Sequence, residues 1–146
     1  MSFALNAPIM SADTHDGGCL CGAIRYRVSG AALSKTLCHC RSCRLASGAP
    51  SLAWAIFRRE QVQFLRGALT EFRSSPPALR GFCNVCGTTL SYRTERRPEH
   101  LDIATATFDR PELFAPQCEI WIAEKIDWEV TNPALPQFVG SSRRDG

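Results

Sequence analysis

The sequence predicts a mostly β domain, and three observations carry that expectation. Short runs rich in aromatic and branched residues recur along the chain, separated by Gly, Pro and Ser turn signals. No window of ten or more residues keeps a convincing helical period. At 146 residues the chain is one domain's worth, long enough to bury a real core without help from disulfides.

The elements follow in order. Residues 1–16 lack clean periodicity and are expected to be a flexible tail, with the domain proper over 17–135. The run AIRYRV alternates, with Ile24, Tyr26 and Val28 on one face and Arg25 and Arg27 on the other, so it reads as a half-buried strand closed by Ser29-Gly30. A second strand approaches the next cysteines through Lys35, Thr36 and Leu37. Arg44 to Ser47 then fits one helical turn before Gly48 and Pro50. SLAWAIF (51–57), VQFL (62–65) and TEFRS (70–74) are short strand-like runs, and Pro76-Pro77 breaks the chain before LRGFC. TLSYR, LDIATATF and QCEIWI complete the set, with a short helical possibility at Pro111 to Phe114. Residues 136–146, ending SSRRDG, are expected to fray.

Eight cysteines are the outstanding feature. A disulfide framework needs an oxidising compartment, and the N-terminus has no cationic segment followed by an apolar stretch to direct export. The spacings speak for thiolate metal ligation in a reducing compartment: C-x-C at Cys19 and Cys21, C-x-C-x-x-C at Cys38, Cys40 and Cys43, and C-x-x-C at Cys83 and Cys86. In FCNVCG, Gly87 can take positive φ and close a knuckle that aims both sulfurs at one ion. In an extended strand residues i and i+2 share a face, so Cys19 and Cys21 point together while Leu20 points away into the core. Cys38 and Cys40 likewise point together, with His39 opposite. Tetrahedral Zn–S bonds of about 2.3 Å place neighbouring sulfurs roughly 3.8 Å apart, within reach of such pairs. Cys38, Cys40 and Cys43 lie close enough in sequence to converge on one ion. Cys19, Cys21, Cys83 and Cys86 would then form a closed four-thiolate site, and Cys118 is left over. Spacing also allows Cys40 and Cys43 to join Cys83 and Cys86.

These blocks and their neighbours resemble a known family. GGCLCGAIRY, CHCRSCRLASGA and FRSSPPALRGFCNVCGTTLSY, in that order, are similar to the glutathione-dependent formaldehyde-activating enzymes, also called the CENP-V/GFA domain, over about Gly18 to Trp128. The resemblance implies a β-tent of stacked antiparallel sheets with zinc knuckles. It also implies two zinc ions: a structural one on Cys19, Cys21, Cys83 and Cys86, and a catalytic one on Cys38, Cys40 and Cys43. Arg80 matches a common family arginine, expected to bond a backbone carbonyl near the knuckle, and Trp128 matches a frequent closing Trp. The chain departs from the family at Leu45, where many relatives carry a basic residue. It departs again in PQCEIW, where Glu119 stands in place of a His.

A closed Cys₄ set suits structural zinc, whereas three thiolates leave the fourth position that chemistry needs. Such a site suits a further soft thiolate. The expected function is therefore a carbon–sulfur lyase acting on adducts of an aldehyde with a small thiol such as glutathione. Arg41 and Arg44 are candidates for holding a glutathione carboxylate. Ser74 and Ser75 either cap a turn or line the pocket, and Trp54, Trp121 and Trp128 read as core and rim packing. His15 and His100 read as surface residues, and Cys118 as a small buried hydrophobe. The other readings are a non-catalytic zinc-stabilised binding module, a zinc store or thiol sensor, and iron in the Cys₄ site. Recruitment of His39, Cys118 or Glu119 as a fourth ligand would close the second site. No uncharged apolar run approaches the ~20 residues of a membrane span, and the expected location is the cytoplasm. The net charge of +3 is spread without the basic runs of a nucleic-acid binder. Seven bound thiolates outweigh two divalent ions and would take that charge to near zero. Exposed strand edges leave a homodimer open.

Overall fold

A computed structural model describes residues 13–142. The expected tail over residues 1–12 and the last four residues lie outside the described part. Ten strands are formed among the described residues: β1 (Thr14–Gly18), β2 (Arg25–Ser29), β3 (Ser34–Cys38), β4 (Leu52–Arg58), β5 (Val62–Arg66), β6 (Thr70–Ser75), β7 (Ala78–Phe82), β8 (Thr89–Thr94), β9 (His100–Ala104) and β10 (Cys118–Ile120). One short helix, α1 (Arg41–Ser47), sits between β3 and β4, and Pro111–Phe114 forms a 3₁₀ turn. The mostly β expectation is correct. No helix among the described residues is long and apolar enough to cross a membrane.

The strands divide into two sheets, β1-β2-β5 and β10-β3-β4-β9-β8-β7-β6. All pairings are antiparallel except that of β10 with β3, which is parallel. Strand alternation decides where the core sits. Ile24, Tyr26 and Val28 turn inward from the small sheet, as their alternation predicts, against Ala55 and Phe57 of β4 and Leu101 and Ile103 of β9. Phe108 stacks on Phe114 with ring centroids 4.1 Å apart and closes one end of this layer. The opposite face of the large sheet carries Trp54, Ile56 and Ala104, packed with Cys38 and Cys43. β4 is thus apolar on both faces, which is why LAWAIF reads as a continuous apolar run.

Three local expectations are corrected. Thr14–Asp16, read as tail, pair with β2 as far as Ser29, and Arg27 of β2 binds the Asp16 carboxylate at 2.7 and 2.9 Å. At the other end, Pro136 to Gly140 does not fray: it runs beside β10, with Glu119 N–H donating to Pro136 O and Phe138 N–H to Glu119 O. Cys19 to Gly22 is a tight turn rather than a strand. Gly22 has a φ of 79°, its N–H donates to Cys19 O, and Leu20 is 88% exposed rather than in the core.

Candidate functional site

The sulfur atoms of Cys19, Cys21, Cys83 and Cys86 lie within 4.8 Å of one another, and so do those of Cys38, Cys40 and Cys43. This grouping removes the alternative in which Cys40 and Cys43 join Cys83 and Cys86. All eight cysteines are free of disulfides.

The four-sulfur group is made by two similar turns. Cys19 and Cys21 come from the β1–β2 turn, and Cys83 and Cys86 from the β7–β8 turn, so the group joins the small sheet to the large one. Each turn ends on a left-handed glycine, Gly22 at φ 79° and Gly87 at φ 82°, a conformation that favours glycine. Backbone N–H groups aim at the sulfurs: Ile24 N–H at Cys19 Sγ (3.2 Å) and Val85 N–H at Cys83 Sγ (3.4 Å). Cys86 Sγ lies 3.1 Å from Thr88 Oγ1. The Thr88 hydroxyl and N–H pull the Cys86 thiol down to about 5. Sγ–Sγ separations of 3.6 Å (Cys19–Cys21) and 3.8 Å (Cys21–Cys83) match the edge of a thiolate tetrahedron around zinc. The donor set therefore fits a metal ion of that kind.

The three-sulfur group is built differently. Cys38 ends β3, Cys40 caps α1, and Cys43 lies on the first turn of that helix. Cys40 Sγ accepts from Cys43 N–H at 3.3 Å, and Gly48, at φ 68°, ends the helix with its N–H on Arg44 O. The sulfurs share their protons unequally. Cys43 is held low by hydrogen bonds from the Cys38 and Cys40 thiols, helped by the Arg80 charge and Trp54 and opposed by burial. The Cys38 thiol is pushed up, chiefly because its proton is shared with Cys40 and Cys43.

Arg80 is the residue whose place the sequence misassigned. It reaches the three-sulfur group rather than the knuckle: Nη1 and Nη2 each lie 3.7 Å from Cys43 Sγ, and Nε donates to Ser74 Oγ at 3.2 Å. It is 8% exposed and lies over the Tyr92 ring, 5.0 Å from its centroid. A guanidinium against a thiolate offsets negative charge that three sulfurs would otherwise concentrate.

His39 faces away from the sulfurs, as strand alternation predicts. Its ring is fully buried, with Nε2 2.7 Å from Glu119 Oε1. Asn132 N–H donates to Glu119 Oε2 at 2.5 Å. Glu119 and His39 therefore bind each other, and neither joins the sulfur group. Cys118, half-buried with its thiol pushed up by burial, also lies outside both groups. Among the described residues no fourth Cys, His, Asp or Glu atom completes the set of three.

A cavity of about 620 Å³ opens over these three sulfurs. Trp54, Arg80 and Tyr92 line it near Cys43, and Ser74, Ser75 and the Pro76-Pro77 turn form another side. Arg96, Arg97, Trp121 and Ser142 lie further along its wall. Trp121 is the sole described non-glycine residue with a left-handed backbone (φ 58°), its N–H held by Gly140 O. Arg41 and Arg44, the expected carboxylate partners, do not line this cavity; the helix presents Ser42 to it instead. His15 packs edge-on to Phe114, and His100 bonds Arg97 at 3.1 Å, so neither is a free surface imidazole. Tyr92 and Arg96 carry no local signal in the sequence, because their place depends on sheet register.

Residues 14–124 match the family model described as glutathione-dependent formaldehyde-activating enzyme. An uncharacterized lyase of Schizosaccharomyces pombe (strain 972 / ATCC 24843) is 30% identical over 103 residues, 65% of this chain and 74% of the relative. A crystal structure of a Rhodobacter sphaeroides protein superposes with a TM-score of 0.55 at 22% identity, covering 84% of this chain and 98% of that one.

Proposed function

Because the chain belongs to the glutathione-dependent formaldehyde-activating enzyme family, we propose that it is a carbon–sulfur lyase that joins or separates a small thiol and an aldehyde. The observation that carries this reading is the set of three convergent sulfurs, without a fourth protein ligand atom among the described residues, under a cavity large enough for a substrate.

Cys38, Cys40 and Cys43 would hold one zinc ion, and Cys19, Cys21, Cys83 and Cys86 another. Zinc at the first site would keep an incoming thiol deprotonated at neutral pH while leaving it nucleophilic. In the joining direction the substrate sulfur bonds to the aldehyde carbon, the carbonyl π pair moves to oxygen, and oxygen takes up a proton. In the reverse direction the hydroxyl loses that proton and the C–S bond breaks, with its electron pair returning to sulfur.

The chain's own residues prepare the cavity for these charges. Arg80 keeps positive charge beside Cys43. The Tyr92 phenol lines the same wall, and burial pushes its pKa up, so it retains a proton to donate to the substrate oxygen. Trp54 and Ile56 give the site an apolar side that limits water. Eight unpaired cysteines fit a reducing compartment such as the cytoplasm.

The test is Cys40→Ser. The expected result is one zinc per chain instead of two, retained folding by circular dichroism, and loss of turnover of S-hydroxymethyl thiol adducts. Full activity in this variant would overturn the reading.

A further inference from the structure

Of the four sheet edges, two are covered by the chain itself. Pro136 to Gly140 runs beside β10, with Glu119 N–H on Pro136 O and Phe138 N–H on Glu119 O. β1 is met by Phe108, bridged antiparallel to Gly17, and by Asp109, whose N–H donates to Asp16 O at 2.9 Å. β5 and β6 end their sheets with no backbone partner on the outer side among the described residues. Such an edge is a template for a further strand.

The two open edges present different sequences. An antiparallel pairing of β5 with its own copy about the central Phe64 sets Gln63 against Leu65 and Val62 against Arg66, which are not complementary. β6 reads TEFRSS, and the same operation about Phe72 sets Phe72 against Phe72 and Glu71 against Arg73, twice over by symmetry. Either hydrogen-bonding phase of the edge allows this register, because the bonds are exchanged at the central pair or at the two flanking ones. Glu71, Phe72 and Arg73 are all exposed, Phe72 by 64%. Glu71 already binds Arg93 at 2.6 and 2.9 Å, and Arg73 binds Glu95 at 3.2 Å. Pairing would therefore run alternating charge from Arg93 and Glu71 of one copy to Arg73 and Glu95 of the other. A network of this kind outweighs isolated surface pairs.

Sheet register gives Phe72 its place. Ser34, Ile56, Asp102, Tyr92, Arg80 and Phe72 stand opposite one another in a single row from β3 to β6, on one face. The first five line the cavity over the three sulfurs, and Phe72 is the apolar end of their row at the open edge.

We propose that β6 pairs antiparallel with β6 of a second copy of this chain, centred on Phe72, joining two seven-stranded sheets into one of fourteen. The register shift between Arg73 and Ser75 bends the strand beyond this segment and confines the contact to it. Phe72 of each copy then extends the other's row, so the partner adds an apolar residue at the rim of each cavity. None of this depends on the reaction proposed above.

The experiment is analytical ultracentrifugation of the zinc-loaded full chain over a wide range of concentration. Parent, Glu71→Arg, Arg73→Glu and an equimolar mixture of the two variants are compared, with circular dichroism to check folding. The parent should move with concentration from 16.1 kDa towards twice that mass. Each variant alone sets like charges opposite at both symmetric positions and should weaken self-association about tenfold or more. The mixture sets two cations against two anions and should associate as the parent does. Should either variant lose its fold, Phe72→Ser, which disturbs no ion pair, takes its place with the same weakening expected. A parent that stays at 16.1 kDa throughout leaves the edge to a different partner and overturns the proposal. A variant that self-associates like the parent moves the contact to another surface and overturns it too. So does a mixture of folded variants that remains monomeric, because it removes the register.

Discussion

Glu119→Ala removes the acceptor of two donors that water cannot replace. His39 Nε2 loses a partner at 2.7 Å and the Asn132 N–H one at 2.5 Å, and both His39 and Glu119 are fully buried. A hydrogen bond to a charged group contributes about 1.5–3 kcal/mol, and an orphaned buried donor forfeits its hydration as well. Relief from burying a carboxylate offsets part of this, so the expected net loss is about 3 kcal/mol. That is a large share of a stability of about 5–15 kcal/mol. Glu119→Gln keeps the shape: its Oε1 can accept from Asn132, and its N–H can donate to His39 Nε2 if the imidazole proton moves to Nδ1. Nδ1 has no partner among the described residues, so no existing hydrogen bond opposes this rearrangement, but it leaves a buried N–H without an acceptor. The loss for Gln should be about half that for Ala. Urea denaturation of the zinc-loaded proteins, followed by circular dichroism, checks the order parent, Gln, Ala. An Ala variant within about 1 kcal/mol of the parent refutes the view that this pair anchors the segment after β10.

The remaining predictions concern charge and metal. Cys83→Ser should lower stability by about 4 kcal/mol, because the Cys21–Cys83 contact closes a 62-residue separation; zinc-loaded thermal melts read it, and an unchanged melt refutes a cross-linking role. Arg80→Ala should cut turnover of thiol adducts tenfold or more, about the effect of losing a partner of a metal ligand, with two zinc ions retained by elemental analysis. Turnover equal to the parent's would exclude the guanidinium from the reaction. Glu71 is held below the usual carboxylate range by its paired bonds to Arg93 at 2.6 and 2.9 Å. Because the folded value is depressed, the stabilisation is present above about pH 4.5 and is lost as pH falls through the lower folded midpoint. A carbon-13 titration of the Glu71 carboxyl should show that lowered midpoint, and Glu71→Gln should cost at most about 1 kcal/mol at neutral pH.

Much of the architecture is legible in local pattern. Alternation in AIRYRV placed Ile24, Tyr26 and Val28 inward, and the cysteine spacings anticipated the four-plus-three grouping that the sulfur positions form. What local pattern missed depends on register between distant strands. An extended C-x-C puts Leu20 in the core, whereas Gly22 bends the chain into a turn that leaves Leu20 outside. Proximity in sequence puts Arg80 at the knuckle three residues away, but strand alternation turns its side chain to Cys43 instead. The β10–β3 pairing, which sets Glu119 beside His39, joins residues 80 positions apart and leaves no periodic trace. Arg41 and Arg44 looked like substrate anchors from proximity in sequence, yet the helix directs Ser42 to the cavity.

The two sulfur groups differ in how much chain each requires, and that difference bears on synthesis at the ribosome. Cys38, Cys40 and Cys43 span six residues and can meet an ion as soon as that segment emerges. Cys19 and Cys21 emerge earlier but wait until Cys86 has been made before their set is complete. A growing chain therefore passes through an interval in which Cys38, Cys40 and Cys43 are together while the four-sulfur group between the sheets cannot yet form. A metal ion captured in that interval would sit on an unfinished wall, before β7 brings Arg80 to Cys43. Vectorial translation thus completes the three-sulfur group before the four-sulfur group, and both before β8, β9 and β10.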